Sequence, residues 1–287
     1  MVKVHWAGRM GNNMFQYCFG RILATELGYK LDCLPIEGFS RTKDKVEGLT
    51  INEPSVTLNM HLVDIESILN KKEGDRRIIL EGGYFQRYEY YRPYKKQVKE
   101  WMSIEPYDLG QTDEDIIIHM RLGDNITTFH PDRPFLVDFE YFRQALESTS
   151  FNNLYICSDP ETLDSPYMKW FDEYNPIILG KDVSFPMPMQ HYHSWNPTQL
   201  NDFRALTSFK KIICSQSTFS WWGAFLSAAT EIFMPVPQAG NAKLVNEWSA
   251  ARPDIALFVD DEPRYKYIKE YDSNDWRFVN LNDIEER

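Results

Sequence analysis

Three short stretches gather residue types able to hold an anionic or sugar ligand. The first is AGRMGNN, residues 7–13, where Gly11, Asn12 and Asn13 run into the half-aromatic MFQYCFG. Its glycine spacing is not the dinucleotide GxGxxG, and no Lys-Ser/Thr follows as in a Walker A loop. What remains is a glycine-lined turn whose amides and asparagine side chains can meet a phosphate or a sugar beside a helix N-terminus, or simply reverse the chain. The second is HMRLGDN, residues 119–125, which packs His119, Arg121 and Asp124 into six residues behind the apolar DIII. A planar guanidinium suits a pair of phosphate oxygens. Strand alternation sets His119 and Arg121 on one face. A buried histidine beside a structural Arg–Asp pair is the plainer alternative. The third is CSQSTFSWWG, residues 214–223, where Ser215, Ser217, Thr218 and Ser220 collect at a strand-to-helix junction. Hydroxyls and free helix amides there form an anion cradle, and the same groups cap the helix.

An arginine with helix-end hydroxyls and no lysine cluster points to a diphosphate in a specific pocket. Other candidates are weaker. Trp221 and Trp222 could stack on a sugar, but a tryptophan pair entering an apolar helix more often fills a core. His191 and His193 have HxH spacing, yet lie in a proline-rich stretch without a nearby cysteine, so no metal site is assigned. Asp113, Glu114 and Asp115 precede the III strand and fall at its wrong end for a ligand.

The elements that must position these residues alternate. VKVHWA reads as a strand, GRMGNN as a turn, MFQYCFGRILATELG as a helix ending near Gly28, and KLDCLP as a second strand. Residues 35–60 are polar and irregular. HLVDIESILN reads as a short helix, RRIILEGGYFQ as a strand running into a glycine turn, and the later part of YEYYRPYKKQVKEWM as a helix with Pro93 in its first turn. Residues 103–115 form the candidate linker.

Beyond the linker come strand DIIIHM, helix DFEYFRQALEST with Asp138 as its cap, strand NLYICSD, and helical residues within 160–173. A loop, FPMPMQHYHSWNP, leads into helix TQLNDFRALTSFKK, strand KIICSQS, helix TFSWWGAFLSAAT and strand EIFMPVPQ. Such alternation predicts parallel sheets flanked by helices, with ligands at the carboxyl ends of the strands.

Composition sets outer limits. The 287 residues suffice for one large or two ordinary domains, and 43% hydrophobic with 15% aromatic residues supplies a core. Forty-two acidic against 31 basic residues, a formal charge of −11, discourage nucleic acid as a partner but not a small anion. No basic start with an apolar segment resembles a signal peptide, and no apolar run is long enough to span a membrane. Cys18, Cys33, Cys157 and Cys214 show no CxxC pairing, so reduced thiols and a cytoplasmic location are expected; peripheral contact with a membrane stays open.

With these motifs in hand, the chain resembles the alpha-1,2-fucosyltransferase family. MGNNMFQYCFGRILATELG is similar to the family's opening signature, HMRLGDN to its His-x-Arg-x-Gly-Asp-Tyr motif, and STFSWWGAF to its Ser-x-Phe-Ser-Trp-Trp-Gly-Ala motif. GGYFQRYEYY matches a looser block, and the matches run in order from about residue 5 to residue 240. The resemblance implies an α/β, GT-B-like glycosyltransferase with two Rossmann-like lobes. Residues 1–110 would form an acceptor-side lobe and 111–287 a GDP-sugar-binding lobe, with the extreme C-terminus free to pack back on the first. It further implies inverting transfer from GDP-L-fucose to a glycan hydroxyl, foremost the 2-OH of a terminal beta-galactose, with no cofactor and no essential metal. Arg121 would hold the donor β-phosphate, with His119 beside it. Asp202 would read the guanine edge, Ser217 and Thr218 would bind the diphosphate, and Gly11, Asn12 and Asn13 would face the sugar and acceptor. Asp124 is the first candidate for a base. One departure falls at Asn125, where the family has Tyr. It leaves open another linkage, another GDP-sugar, or a non-catalytic glycan- or nucleotide-binding protein.

Overall fold

A computed structural model describes the chain except Glu53 and residues 60–62, 71–75, 124–136, 138, 184–196, 236–255 and 269–287. Its contacts divide it into two units: Met1–Ile104 with Ala251–Phe258, and Glu105–Ala250 with Val259–Arg287.

The first unit holds a parallel four-stranded sheet in the order β2-β1-β4-β3, formed by β1 (Val2–Val4), β2 (Leu31–Asp32), β3 (Ser55–Leu58) and β4 (Arg77–Leu80). Between β1 and β2 runs α1 (Met10–Leu27), whose Phe15, Phe19, Ile22 and Leu23 are buried as their helical spacing predicts. Phe19 stacks on Phe85 with ring centroids 4.3 Å apart. The short helices α2 (Ile65–Asn70), α3 (Tyr88–Tyr91) and α4 (Lys95–Trp101) follow, with Pro93 in a 3-10 turn between the last two.

Two expectations change here. Gly11, Asn12 and Asn13 do not form a turn ahead of the helix but its first turn, because the carbonyl of the extended Arg9 accepts the amides of Asn12 and Asn13 at 2.9 and 3.0 Å. β3, moreover, lies within the stretch read as irregular.

The second unit carries a parallel six-stranded sheet ordered β10-β9-β8-β5-β6-β7. Its strands are β5 (Ile116–Met120), β6 (Leu154–Ser158), β7 (Ile177–Ile178), β8 (Lys211–Cys214), β9 (Glu231–Pro235) and β10 (Tyr265–Ile268). β5, β6 and β8 are buried along their whole length, the signature of central parallel strands covered on both faces. Helices α5 (Phe139–Glu147), α6 (Pro197–Ser208) and α7 (Thr218–Leu226) accompany them. The helical residues expected within 160–173 are two 3-10 segments, Pro160–Thr162 and Pro166–Tyr174. The proposed Asp138 cap lies outside the described residues.

Among the described residues, no helix is long and apolar enough to cross a membrane. Cys18, Cys157 and Cys214 are buried free thiols, and Cys33 is a partly exposed one.

Candidate active site

The register of the large sheet explains why its chemistry converges. His119 stands opposite Cys157 on β6 and Cys214 on β8, and Met120 stands opposite Ser158. The residues just beyond these pairs, Arg121, Asp159 and Ser215, therefore leave the sheet at neighbouring points. No local rule joins them; parallel pairing across long crossovers does.

Arg121 Nη1 lies 3.0 Å from Asp159 Oδ2, with the two side chains only 17% and 10% exposed. A poorly hydrated Arg–carboxylate pair of this kind fixes the guanidinium in direction as well as in charge. Gly123 sits close against it: its φ is +22°, and an added Cβ would stand 2.6 Å from Asp159 Oδ2 and 2.9 Å from Arg121 Nη1. Asp159 was not among the sequence candidates. The signal that could have found it is its position one residue past β6, in register with Arg121 one residue past β5.

His119 is buried, with Nδ1 3.1 Å from Ser215 Oγ and its ring stacked on Phe219 at 4.9 Å between centroids. Ser215 Oγ also accepts the Arg121 amide at 3.0 Å, and the Ser215 amide donates to the His119 carbonyl at 3.2 Å. Ser215 thus turns inward to hold the arginine segment, although the sequence presents it as one hydroxyl of a cradle. Ser220 turns inward as well, donating to the carbonyls of Ser215 and Ser217 at 3.0 and 3.1 Å.

Ser217 is the N-cap of α7, its Oγ accepting the Phe219 amide at 3.2 Å, and Thr218 is the first helical residue. These two therefore stand at the positive end of a nine-residue helix directly after β8, where backbone N–H groups favour an anion. Trp221 and Trp222, both fully buried, belong to the core: Trp221 stacks on Phe225 at 4.9 Å, so neither offers a sugar platform.

Asp202, on α6, is 8% exposed and has no hydrogen bond or ion pair among the described residues. Burial pushes its carboxyl up to about 8, and the nearby Asp159 adds to the shift. Carboxyls shifted this far concentrate at functional sites.

The N-terminal candidates sit in the first unit and are more fully used by the fold. Asn13 is 3% exposed; its Nδ2 donates to the Ala7 carbonyl at 3.1 Å and to Gln16 Oε1 at 3.3 Å. Gln16 in turn accepts the Ala7 amide at 3.1 Å and donates to the Gly83 carbonyl at 3.0 Å. Asn12 Oδ1 accepts from Gln86 Nε2 at 2.8 Å, and Gly11 is buried in the same helical turn.

Asp124, Asn125, His191 and His193 lie outside the described residues. Among those described, no group of three or more His, Cys, Asp and Glu side chains is arranged to hold a metal ion.

Against known proteins, a family model described as Glycosyl transferase family 11 matches residues 98–255. A Galactoside 2-alpha-L-fucosyltransferase of Caenorhabditis elegans is 23% identical over 201 residues, 58% of this chain and 48% of the relative. The match thus spans about half of that relative's length. An Alpha-1,2-colitosyltransferase of Escherichia coli is 23% identical over 273 residues, 79% of this chain and 87% of the relative.

Proposed function

Because the chain belongs to glycosyl transferase family 11, we propose that it transfers L-fucose from GDP-L-fucose to a glycan hydroxyl with inversion. The bond formed is alpha-1,2, and the foremost acceptor is the 2-OH of a terminal beta-galactose. The observation that carries this reading is a half-buried arginine, held in direction by Asp159, and a hydroxyl-capped helix N-terminus that follow adjacent parallel strands.

In transfer, the bond from the sugar's C1 to the β-phosphate oxygen breaks as negative charge grows on GDP. The Arg121 guanidinium and the N-terminal amides of α7 supply preorganised positive charge for that leaving group. Ser217 and Thr218 add hydroxyls at the same helix end. His119, fixed by Ser215 and Phe219, lies against the donor beside Arg121. Asp202 reads the guanine N1–H and N2–H edge, which needs an acceptor pair the neutral acid does not offer; donor binding therefore displaces its proton. Asp124 is the proposed base for the acceptor hydroxyl, and Gly11, Asn12 and Asn13 are assigned to the sugar and acceptor. The two α/β units, each with its own parallel sheet, fit a GT-B arrangement in general terms, and the free thiols suit a cytoplasmic location.

A second sugar is favoured by one specific observation: the match to the colitosyltransferase spans more of this chain than the match to the fucosyltransferase. Colitose is L-fucose without its 3-hydroxyl, so both donors present the same diphosphate to Arg121. The deciding assay measures GDP release from GDP-fucose or GDP-colitose, with and without lactose or N-acetyllactosamine, in EDTA. Acceptor-dependent release from GDP-fucose that vanishes in Arg121→Ala is the expected result. Release from GDP-colitose alone would change the sugar and keep the mechanism. GDP binding without release from either would point to a different donor sugar or acceptor. No GDP binding at all would overturn the donor assignment.

A further inference from the structure

We propose that Ser215 is a positioning residue whose hydroxyl donates to Nδ1 of His119 while accepting the Arg121 amide, so that one oxygen sets the tautomer of the first and the backbone of the second. The argument rests on the hydrogen count of a buried hydroxyl. Ser215 is 2% exposed, and its Oγ has two hydrogen-bond neighbours, His119 Nδ1 at 3.1 Å and the Arg121 N–H at 3.0 Å. A backbone N–H can only donate, so it occupies one lone pair of the oxygen. Among the described residues, the hydroxyl proton then has a single acceptor within reach, Nδ1. Were Nδ1 protonated instead, the oxygen would receive two donors and its own proton would be buried without a partner, a cost of the kind native structures avoid. The neutral ring therefore carries its proton on Nε2.

The surrounding contacts leave the hydroxyl little freedom to do otherwise. The Ser215 amide returns to the His119 carbonyl at 3.2 Å, and its carbonyl accepts from Ser220 Oγ at 3.0 Å. Both backbone groups of Ser215 are thus tied, one to β5 and one to α7. Phe219 lies on the imidazole face at an interplanar angle of 28°, and Phe203 meets Phe219 edge-on at 5.2 Å. These ring contacts limit rotation of the imidazole, and the Ser215 hydroxyl is the described hydrogen-bond partner of Nδ1.

The catalytic consequence rests on the GDP-sugar reading; the hydrogen-bond arrangement does not. The test accordingly begins on the ligand-free full chain labelled with ¹⁵N-histidine. Long-range proton–nitrogen spectra distinguish protonated from unprotonated ring nitrogens, and the His119 signals are those lost in His119→Gln. We expect Nδ1 unprotonated and Nε2 protonated in the wild type. Ser215→Ala should give mixed tautomers and roughly tenfold faster hydrogen exchange at the Arg121 amide. Ser215→Thr, which keeps a hydroxyl, should restore both. In turnover, Ser215→Ala should lower kcat/KM by roughly tenfold, about one net hydrogen bond.

A protonated Nδ1 in the wild type would overturn the proposal, as would an unchanged tautomer in Ser215→Ala. Should the alanine variant fail to fold, the wild-type tautomer and its retention in Ser215→Thr decide the matter. If the tautomer behaves as expected but no variant, wild type included, turns over a GDP-sugar, the Ser215 arrangement stands and the transferase reading falls.

Discussion

Among the described residues, the second unit buries two aspartates, Asp115 and Asp202, and it treats them in opposite ways. Asp115, immediately before β5, is 1% exposed and accepts four hydrogen bonds: the amide and hydroxyl of Thr112 at 2.7 and 3.1 Å, and the amide and side chain of Asn153 at 3.0 and 2.8 Å. Asp202 is 8% exposed, has no such bond among the described residues, and lies close enough to Asp159, past the other end of β6, to feel its charge. Burial pushes both carboxyls up. At Asp115 the four bonds outweigh it and hold the group below the ordinary carboxylate value; at Asp202 no such bond is present among the described residues, and the group rises to about 8. Residue type and burial are therefore the same, and among the described residues hydrogen bonding is what separates the lowered carboxyl from the raised one.

The largest effect expected is on the ligand side of this contrast. Arg121→Ala should lower kcat/KM by about 10²–10³, the scale of losing one preorganised donor to a developing charge. Arg121→Lys should recover little of it, since an ammonium cannot reproduce the directed fork. A variant that turned over GDP-fucose at wild-type rate would place the chemistry elsewhere.

Asp115→Asn should be costly in a different currency, losing about 2–3 kcal/mol of stability because hydrogen bonds to a charged acceptor are broken or reversed. Its pH dependence has a defined sign. The folded value lies below the unfolded one of about 3.9, so the stabilisation is present above that pH and is lost as pH falls through the folded value. Urea unfolding at pH 7 and at pH 3 should show the gap between wild type and variant narrowing in acid. GDP affinity should not move.

Asp202→Asn should do the reverse on both counts. The native state holds the proton up to about pH 8, whereas the unfolded chain releases it near pH 3.9. Between those values the native state binds more protons, and stability falls as pH rises. A neutral asparagine escapes this, so the variant should gain on the wild type between pH 5 and pH 8. GDP binding should weaken by roughly tenfold. Wild-type affinity should also tighten with pH until about 8, while the variant stays flat. Calorimetry in buffers of different ionisation heat would show the released proton. Equal GDP affinity in the two proteins would return Asp202 to the fold.

What the sequence discloses follows the same division. β5, β6 and β8 are legible because fully buried parallel strands read as unbroken apolar runs, IIIHM, LYICS and KIIC. β3 and β10 hide because SVTL and YKYI are four residues long and only partly buried, and β7 has two residues. Arg121 and His119 are legible because their spacing is local. Asp159 is not: it meets Arg121 across 38 residues, through a register that only the assembled sheet defines. Ser215 is visible as a hydroxyl, but whether it faces a ligand or the interior depends on His119, 96 residues away. At the N-terminus the asparagines are plain in the sequence, while the helix start at Met10 depends on the extended Arg9 carbonyl.

The smallest effects come from two glycines with positive φ, and they give the finest test of the contrast. Gly28 closes α1 at φ +67°, its amide bonded back to the last turn, and an added Cβ there would meet nothing within 4 Å. Gly28→Ala should therefore cost only the left-handed backbone penalty, about 1 kcal/mol, and leave GDP affinity unchanged. At Gly123, φ +22°, the added methyl would stand inside contact distance of both Asp159 Oδ2 and Arg121 Nη1. The pair must separate or the backbone at Gly123 must shift, and either movement turns the guanidinium away from its set direction. Gly123→Ala should thus lose more stability than Gly28→Ala, the backbone penalty plus roughly 1 kcal/mol for the displaced contact, together with a severalfold loss of GDP affinity that Gly28→Ala lacks. Thermal melts should rank Gly123→Ala below Gly28→Ala, and GDP titrations should show a loss in Gly123→Ala alone only if GDP binding depends on the direction of Arg121 and not merely on its charge.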